Sequence, residues 1–392
     1  MLGTSSAVAS SRVIAEQIVC PRIRRDSAVR RYTAEQAGTL QKTKLMSSSS
    51  TTATVLICTY NRADLLAETL DSLALTRTDG VRWNVIVVDN NSSDRTREVV
   101  TSRITNYPVS LRYVFEPRQG KSNALNTGLA ETDAAIIVFT DDDVRVSEGW
   151  LEAACRPMLP TSGDSGIDYT GGPVLPIWEQ PCPSWLDEKR SDLWGTLAIL
   201  DYGRHPFIFE DRCRVPLGAN MAVRRALIHR IGGFDPELGR RGNSLLGQEQ
   251  AEFFCRSRAI GARGLYVPEM SLHHHVPARR LTRDYFRQWW YWKGVSRSRL
   301  EQRHLVTELG VNLARVPRLS GVPRFMFGSA IRSLFGWLLA LLMFDGIARM
   351  RHEAMLYYFA GYLHSVRADR RAAAAAPAEV KANLGRPRAG II

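Results

Sequence analysis

The chain has 392 residues, 45% hydrophobic and 23% charged, the proportions of an ordinary globular protein with a large core and room for roughly two domains. Its formal net charge of +13 is uneven: residues 54–275 carry a net −5, while 276–392 carry +13 and 1–53 carry +5, so a basic tail facing nucleic acid, anionic lipid or solvent follows a mildly acidic middle. Six scattered cysteines (Cys20, Cys58, Cys155, Cys182, Cys213, Cys255) show no CxxC pair, which excludes a paired-cysteine zinc site and points to free thiols in a reducing compartment.

Residues 1–52 read as a disordered leader, rich in Ser, Thr and Arg and ending in "MSSSSTTAT". It lacks a continuous apolar segment, so a secretory signal is not expected. Its Arg-rich, acid-poor character suits an organelle transit peptide or an upstream extension ahead of a true start at Met46, and we favour the second.

From Ala53 onward strand and helix patterns alternate. "ATVLICTY" predicts a strand, and "RADLLAETLDSLAL" an amphipathic helix with apolar residues at Leu65, Leu66, Leu70, Leu73 and Leu75. "VRWNVIVVDN" predicts a second strand, "SDRTREVVTSRI" a helix capped by Ser93 or Asp94, and "LRYVFE" a third strand. "KSNALNTGLAET" predicts a helix and "AAIIVFT" a fourth strand. Four such alternations call for an α/β doubly wound sheet, mixed or mostly parallel and flanked by helices, whose ligands bind beyond the carboxyl ends of the strands. Those ends are "CTYNR", "VDNNSSD", "EPRQGKS" and "TDDDV". No glycine-rich dinucleotide fingerprint follows the first strand, and Phe115 stands where a GxxxxGK[ST] loop needs its first glycine.

"TDDDV" raises its own chemistry. In an extended segment Asp141 and Asp143 project together and Asp142 away. Converging carboxylates repel, and a divalent cation with oxygen-ligand preference, Mg²⁺ or Mn²⁺, is the obvious compensation. A solvated acidic turn is the alternative on these residues alone.

Residues 150–216 read as irregular, rich in Pro, Gly and Trp. "PLGANMAVRRALIHRIGGFDPEL" restores a short strand and a helix. "GQEQAEFFCRSRAIG" predicts a helix with Glu249, Gln250 and Glu252 in its opening turn, where capping alone accounts for an acid or two. "ARGLYVPEMSLHHHV" predicts a strand in which His273 and His275 share one face and His274 takes the other.

Together these stretches, from about Thr54 to Val276, resemble an inverting family 2 glycosyltransferase with the GT-A fold. The resemblance rests on "VLICTYNRADLLAETLDSL", "VIVVDNNSSDRT", "GKSNALNTGL", "VFTDDDV", "LGANMAVRRALIHRIGGFD" and "GQEQAEFFCRSRAIGARGLYVPEMSLHHH" in that order. It implies a GT-A domain over 53–276, with a nucleotide-binding half at 53–150 and an acceptor and catalytic half at 151–276. Thr59, Tyr60, Asn61 and Arg62 would line the nucleotide pocket, Asp89 would accept hydrogen bonds from the base with Asn91 beside it, and Lys121 would lie close to the nucleotide. "TDDDV" looks like the family's DxD motif: Asp143 would ligate Mn²⁺ or Mg²⁺ directly, Asp141 would face ribose or metal-bound water, and Asp142 would be secondary. Asn220 resembles the part that faces donor sugar and acceptor. His274 and His275 align with a late His position that reaches metal or diphosphate.

One departure stands out. The family's general base is usually the Asp of a Glu-Asp pair opening a helix, and ungapped alignment puts Glu249 at the Glu and Gln250 at the Asp. A neutral amide cannot take a proton. That leaves Glu249, Glu252 or a catalytically weak nucleotide-sugar-binding protein; a one-residue shift at a helix start moves a carboxylate only a few ångströms, which favours Glu249. A nucleotidyltransferase on a similar fold is the third reading, though the basic triphosphate loop it needs near the first strand is missing. The resemblance implies a nucleoside-diphosphate sugar donor, UDP-sugar favoured, and a hydroxyl of a lipid-linked or envelope glycan as acceptor.

Residues 277–370 read as a basic amphipathic helical region. "FRQWWYWKG" mixes aromatics with Arg as at a water–lipid interface, and departs from the QxxRW motif of processive synthases. "FMFGSAIRSLFGWLLALLMFD" is interrupted by Arg332, leaving an apolar core shorter than the roughly 20 residues a span needs. It predicts, with "MLYYFAGYLHSV", helices lying on an anionic membrane through residues 280–367, peripheral at the cytoplasmic face, and no nucleic acid. Residues 371–392 read as a disordered tail.

Overall fold

The computed structural model describes residues 52–159, 165–186, 193–209, 214–240, 244–303 and 316–375. The expected leader up to residue 51 and the tail from 376 lie outside them; residues 371–375 belong to the last helix.

Strands β1 (Thr52–Thr59), β2 (Arg82–Asp89), β3 (Leu111–Phe115) and β4 (Ile136–Thr140) alternate with helices α1 (Ala63–Ala74), α2 (Thr96–Thr101) and α3 (Lys121–Ala130), as the sequence patterns predict. After β4 come β5 (Val144–Val146), α4 (Trp150–Cys155), β6 (Tyr169–Gly171), β7 (Val174–Trp178), β8 (Phe207–Ile208), β9 (Asn220–Arg224), α5 (Arg225–Ile231), α6 (Glu249–Ala259), β10 (Gly264–Tyr266) and β11 (Leu272–Val276). The main sheet runs β3-β2-β1-β4-β9-β6-β10-β8. Its pairs β1–β2, β1–β4, β2–β3 and β6–β10 are parallel; β4–β9, β6–β9 and β8–β10 are antiparallel. A second sheet, β5-β11-β7, stands beside the carboxyl end of β4.

The period of two along each central strand builds two cores. Val55, Ile57, Val85, Val87, Ile136 and Val138 fill one face of the sheet, while Leu56, Ile86, Val88, Ile137 and Phe139 fill the other. A strand buried on both faces needs a continuous apolar run, which is why "IIVF" shows no alternation. Packing is close enough that a side chain on Gly128 of α3 would strike Leu56 and Val88.

Two expectations give way. The irregular stretch 150–216 supplies the short helix α4 and strands β6, β7 and β8, elements too short, with β6 and β7 interrupted by Gly171, Gly172, Pro173 and Pro176, to leave a periodic signal. "ARGLYVPEMSLHHHV" forms two strands in different sheets, β10 and β11, separated at Val267–Ser271.

The C-terminal region forms α7 (Arg283–Arg303), a small hairpin of β12 (Arg318–Leu319) and β13 (Val322–Pro323), then α8 (Arg324–Leu342) and α9 (Gly346–Ala375). A third apolar cluster joins α7, α8 and α9 through Phe286, Trp290, Met326, Met350, Tyr358 and Tyr362. Helices α7 and α9 touch backbone to backbone: a methyl on Gly361 would come within 1.9 Å of the Tyr291 carbonyl oxygen, and one on Gly294 within 2.0 Å of that of Tyr358. The aromatic run expected at a lipid interface is therefore largely spoken for by protein. Trp290 is buried and donates its indole N–H to Thr196 Oγ1 (3.1 Å).

Candidate active site

The carboxyl ends of β1 to β4 fall in register, with Thr59 opposite Asp89 and Asp89 opposite Phe115. Asparagines turn the first two loops. Asn61 (φ 51°) and Asn91 (φ 66°) both adopt the left-handed conformation that Asn tolerates better than most residues. Asn61 Oδ1 accepts the Ser93 N–H (2.7 Å), while its own N–H donates to Ser92 Oγ (3.0 Å). Asp94 ties the same loops to two helices, its carboxylate accepting the N–H groups of Ala63 (3.0 Å) and Thr96 (3.0 Å).

These loops open on a cleft of about 540 Å³ lined by Thr59, Tyr60, Arg62, Lys121, Asp141, Asp142, Asp143, Glu249, Gln250 and His274, among others. Each acid of "TDDDV" has a cation. Lys121 Nζ donates to Asp141 Oδ1 (2.6 Å), and Arg62 Nη1 donates to both Asp142 Oδ1 (2.9 Å) and Asp143 Oδ2 (2.7 Å). Arg280 Nη2 lies 4.0 Å from Asp143 Oδ2, and His274 Nε2 lies 3.4 Å from Asp143 Oδ1.

The three carboxyls therefore differ. Burial pushes Asp142 up to about 6, helped by the charges of Asp143 and Asp141 and opposed by Arg62. For Asp143 burial acts the same way, but His274, Arg62 and Arg280 outweigh it and hold the carboxyl well below the usual range. Burial likewise opposes ionisation of Asp141, and Lys121 overcomes it. Lys121 is in turn held above its ordinary value, because Asp141 and Glu249 outweigh the cost of its burial.

Among the described residues no three His, Cys, Asp or Glu side chains stand preassembled around a metal position. The donor set nonetheless fits a divalent ion. Asp143 Oδ1 is buried without a well-formed hydrogen bond, the His274 Nε2 nitrogen stands 3.4 Å from it, and the Asp141 carboxylate lines the same cleft. Two or three oxygens with one nitrogen suit Mn²⁺ or Mg²⁺. What occupies the carboxylates in this structure is Arg62 and Lys121.

Helix α6 delivers three expected residues to three different duties. Glu249 lines the cleft at the helix start, where its Oε2 accepts the Gln248 N–H (3.0 Å). Gln250 is committed to the loop before β9: its Oε1 accepts the Gly218 N–H (2.7 Å) and its Nε2 donates to the Pro216 carbonyl. An ionised carboxylate could not make the second bond. Glu252, the other carboxylate expected as a possible base, has a different setting. It is buried outside the cleft lining and gripped by Arg256 Nε (2.7 Å) and Nη2 (2.6 Å), an arginine that also donates to the Gly232 and Gly233 carbonyls closing α5.

Other expected residues lie elsewhere. Asn220 is fully buried outside the cleft lining; it donates to the carbonyls of Pro173 (2.9 Å) and Met270 (2.7 Å) and accepts from Trp150 Nε1 (2.8 Å), so it braces the two sheets. Asp89 sits at the right strand end, buried, with its oxygens accepting the Ser92 N–H (2.8 Å) and the Tyr113 hydroxyl (2.7 Å). Asp89, Asn61 and Asn91 are outside the cleft lining. Strand alternation separates the histidines: His274 is buried in the cleft wall, whereas His275 meets the acids only through its N–H, which donates to the Asp143 carbonyl (2.8 Å).

Sequence reading missed Arg280, Trp289 and Lys293, which all line the cleft. Arg280, nearly buried, sits six residues beyond His274 in the basic "PARR" that closes β11. Trp289 and Lys293 lie one helical turn apart on α7, with Lys293 Nζ 5.0 Å from the Trp289 ring centre.

The profile of "Glycosyl transferase family 2" matches residues 54–210. The succinoglycan biosynthesis protein ExoM of Rhizobium meliloti (strain 1021) is 30% identical over 226 residues, covering 57% of this chain and 67% of that protein. A glucosyl-dolichyl phosphate glucuronosyltransferase of Haloferax volcanii is 24% identical over 248 residues, covering 62% and 75%. Among solved structures, a mannosyltransferase from Pyrobaculum calidifontis in complex with GDP-Man and Mn²⁺ superposes with a TM-score of 0.45 at 21% identity, over 85% of this chain and 78% of that one.

Proposed function

We propose, from the premise that this chain belongs to glycosyl transferase family 2, that it moves a sugar from a nucleoside-diphosphate donor to a hydroxyl of a lipid-linked or envelope glycan with help from Mn²⁺ or Mg²⁺. Family membership makes the chain an inverting glycosyltransferase that uses a nucleotide sugar; metal, acceptor and residue roles are our reading. The observation that carries it is the buried Oδ1 of Asp143, which no well-formed hydrogen bond satisfies and which has the His274 ring nitrogen 3.4 Å away, in a cleft that also holds Lys121, Arg62, Arg280 and the Glu249 carboxylate.

Asp143, Asp141 and His274 would hold the ion. Bound there, it supplies Lewis-acid stabilisation of the charge that develops on a leaving diphosphate. Lys121 and Arg280 add fixed positive charge in a partly dehydrated cleft, where electrostatic stabilisation is strongest. An inverting displacement needs a base on the face opposite the leaving group. Glu249 is the carboxylate available, since Gln250 spends its amide on Pro216 and Gly218 and Glu252 is tied to Arg256. Gln250 then shapes the cleft floor, and the chain need not be impaired by lacking an Asp there. Incubation with a panel of nucleoside-diphosphate sugars and Mn²⁺ should release nucleoside diphosphate from one base class, uridine first among them. Release of inorganic diphosphate from a nucleoside triphosphate would instead favour a nucleotidyltransferase.

The membrane reading has a specific surface. Ile331, Leu334, Phe335, Leu338, Leu339 and Leu342 recur at helical spacing and are exposed along one face of α8, and Phe344 in the turn between α8 and α9 is 94% exposed. At 19 residues α8 is the one helix among the described residues long and apolar enough to cross a bilayer. With Arg324, Arg332, Arg349 and Arg351 nearby in the chain, we read the stripe as lying in an anionic interface, peripheral at the cytoplasmic side. The double variant Phe335→Glu/Leu339→Glu should leave the protein folded and abolish its co-sedimentation with phosphatidylglycerol-containing vesicles; unchanged sedimentation would refute this surface.

A further inference from the structure

We infer that Arg62 is a two-position residue that stands in for the divalent ion on Asp142 and Asp143 before loading and transfers to the donor diphosphate when the ion enters. This rests on the proposed ion site. The backbone of Arg62 is fixed, because its carbonyl accepts the Leu66 N–H (2.9 Å) at the start of α1. Its side chain is tethered differently: among the described residues, its hydrogen bonds are the two from Nη1 to Asp142 and Asp143. The Arg62 side chain is 26% exposed at the cleft wall, against 5% and 3% for the side chains of Asp142 and Asp143. The acids are thus fixed and dry, and the cation over them has room to move.

Charge makes the two occupants exclusive. Arg62 Nη1 is 2.7 Å from Asp143 Oδ2, a spacing at which a divalent ion on the same carboxylate would face a like charge across a few ångströms of low-dielectric interior. Entry of the ion therefore requires Arg62 to leave. An arginine leaving two carboxylates needs another anion, and its planar fork matches a phosphate as well as a carboxylate. A nucleoside diphosphate in the cleft provides one. Ion and diphosphate then bind cooperatively, and linkage makes the coupling equal in both directions.

The test is calorimetric titration of Mn²⁺ into the full chain at pH 7.5, with and without UDP, for wild type, Arg62→Gln and Arg62→Lys. Wild type alone should bind Mn²⁺ weakly and UDP should strengthen it. Arg62→Gln, freed of the competing charge, should bind Mn²⁺ alone at least tenfold more tightly than wild type, with the UDP-induced gain reduced; Arg62→Lys should fall between, and serves if the glutamine variant does not fold. Should wild type bind Mn²⁺ with UDP while removal of the guanidinium leaves Mn²⁺-only affinity unchanged or weaker, the two-position role is wrong and the ion site stands. If wild type binds no Mn²⁺ even with UDP, both fail.

Discussion

Asp143→Ala is expected to lower sugar transfer about 10³-fold, at saturating donor and Mn²⁺, with the folded structure retained. Asp143 is rigidly presented: its carbonyl accepts the His275 N–H and the next residue opens β5. Its side chain meets Arg62, Arg280 and His274 at once, so no other carboxylate in the cleft can take its position by a rotamer change. Losing the ligand removes several kilocalories per mole of stabilisation from the departing diphosphate, and each 1.4 kcal/mol is a factor of ten in rate. Asp142→Asn should cost far less, because Asp142, raised to about 6 by burial, is the acid whose charge the site least supports. A loss confined to KM for Asp143→Ala, with kcat intact, would mean the residue only binds donor. Steady-state kinetics on both variants separates the cases.

Glu249→Gln is expected to reduce kcat by about 10²–10⁴-fold, the usual worth of a positioned general base, and to leave donor KM nearly unchanged. The amide is close in size, so the bond from Gln248 N–H survives and α6 keeps its start. The complementary change is more diagnostic. Gln250→Glu and Gln250→Asp each lose the donation to Pro216 that holds the cleft floor, and both should lower activity. A gain in transfer by Gln250→Asp would show that the wild type lacks its base and that Glu249 does not replace it.

Much of this was legible in the sequence because the physics was local. The continuous apolar runs of β1, β2 and β4 and the leucine stripe of α1 announce their elements, and the polar clusters at strand ends announce the cleft. Residue types at those ends were less informative about direction. Asn61, Asn91 and Asn220 look alike in one dimension, but the first two adopt left-handed turn conformations and the third donates to buried carbonyls between sheets. The strands of 150–216 went unseen because two- to five-residue strands gain their stability from partners distant in sequence, which no window contains. Arg280, Trp289 and Lys293 escaped for the same reason: their place in the cleft depends on how α7 folds back over the domain, and their composition alone resembled a lipid-facing helix.

The most direct measurement is calorimetric titration of UDP, or of whichever nucleoside diphosphate is released from the donor panel, into the full chain with Mn²⁺ and again with excess chelator. The cleft described here predicts at least a tenfold loss of affinity on chelation in wild type, and no effect of chelator on Asp143→Ala. Nucleotide binding that is equally tight with and without chelator in wild type would contradict a divalent ion held at the end of β4.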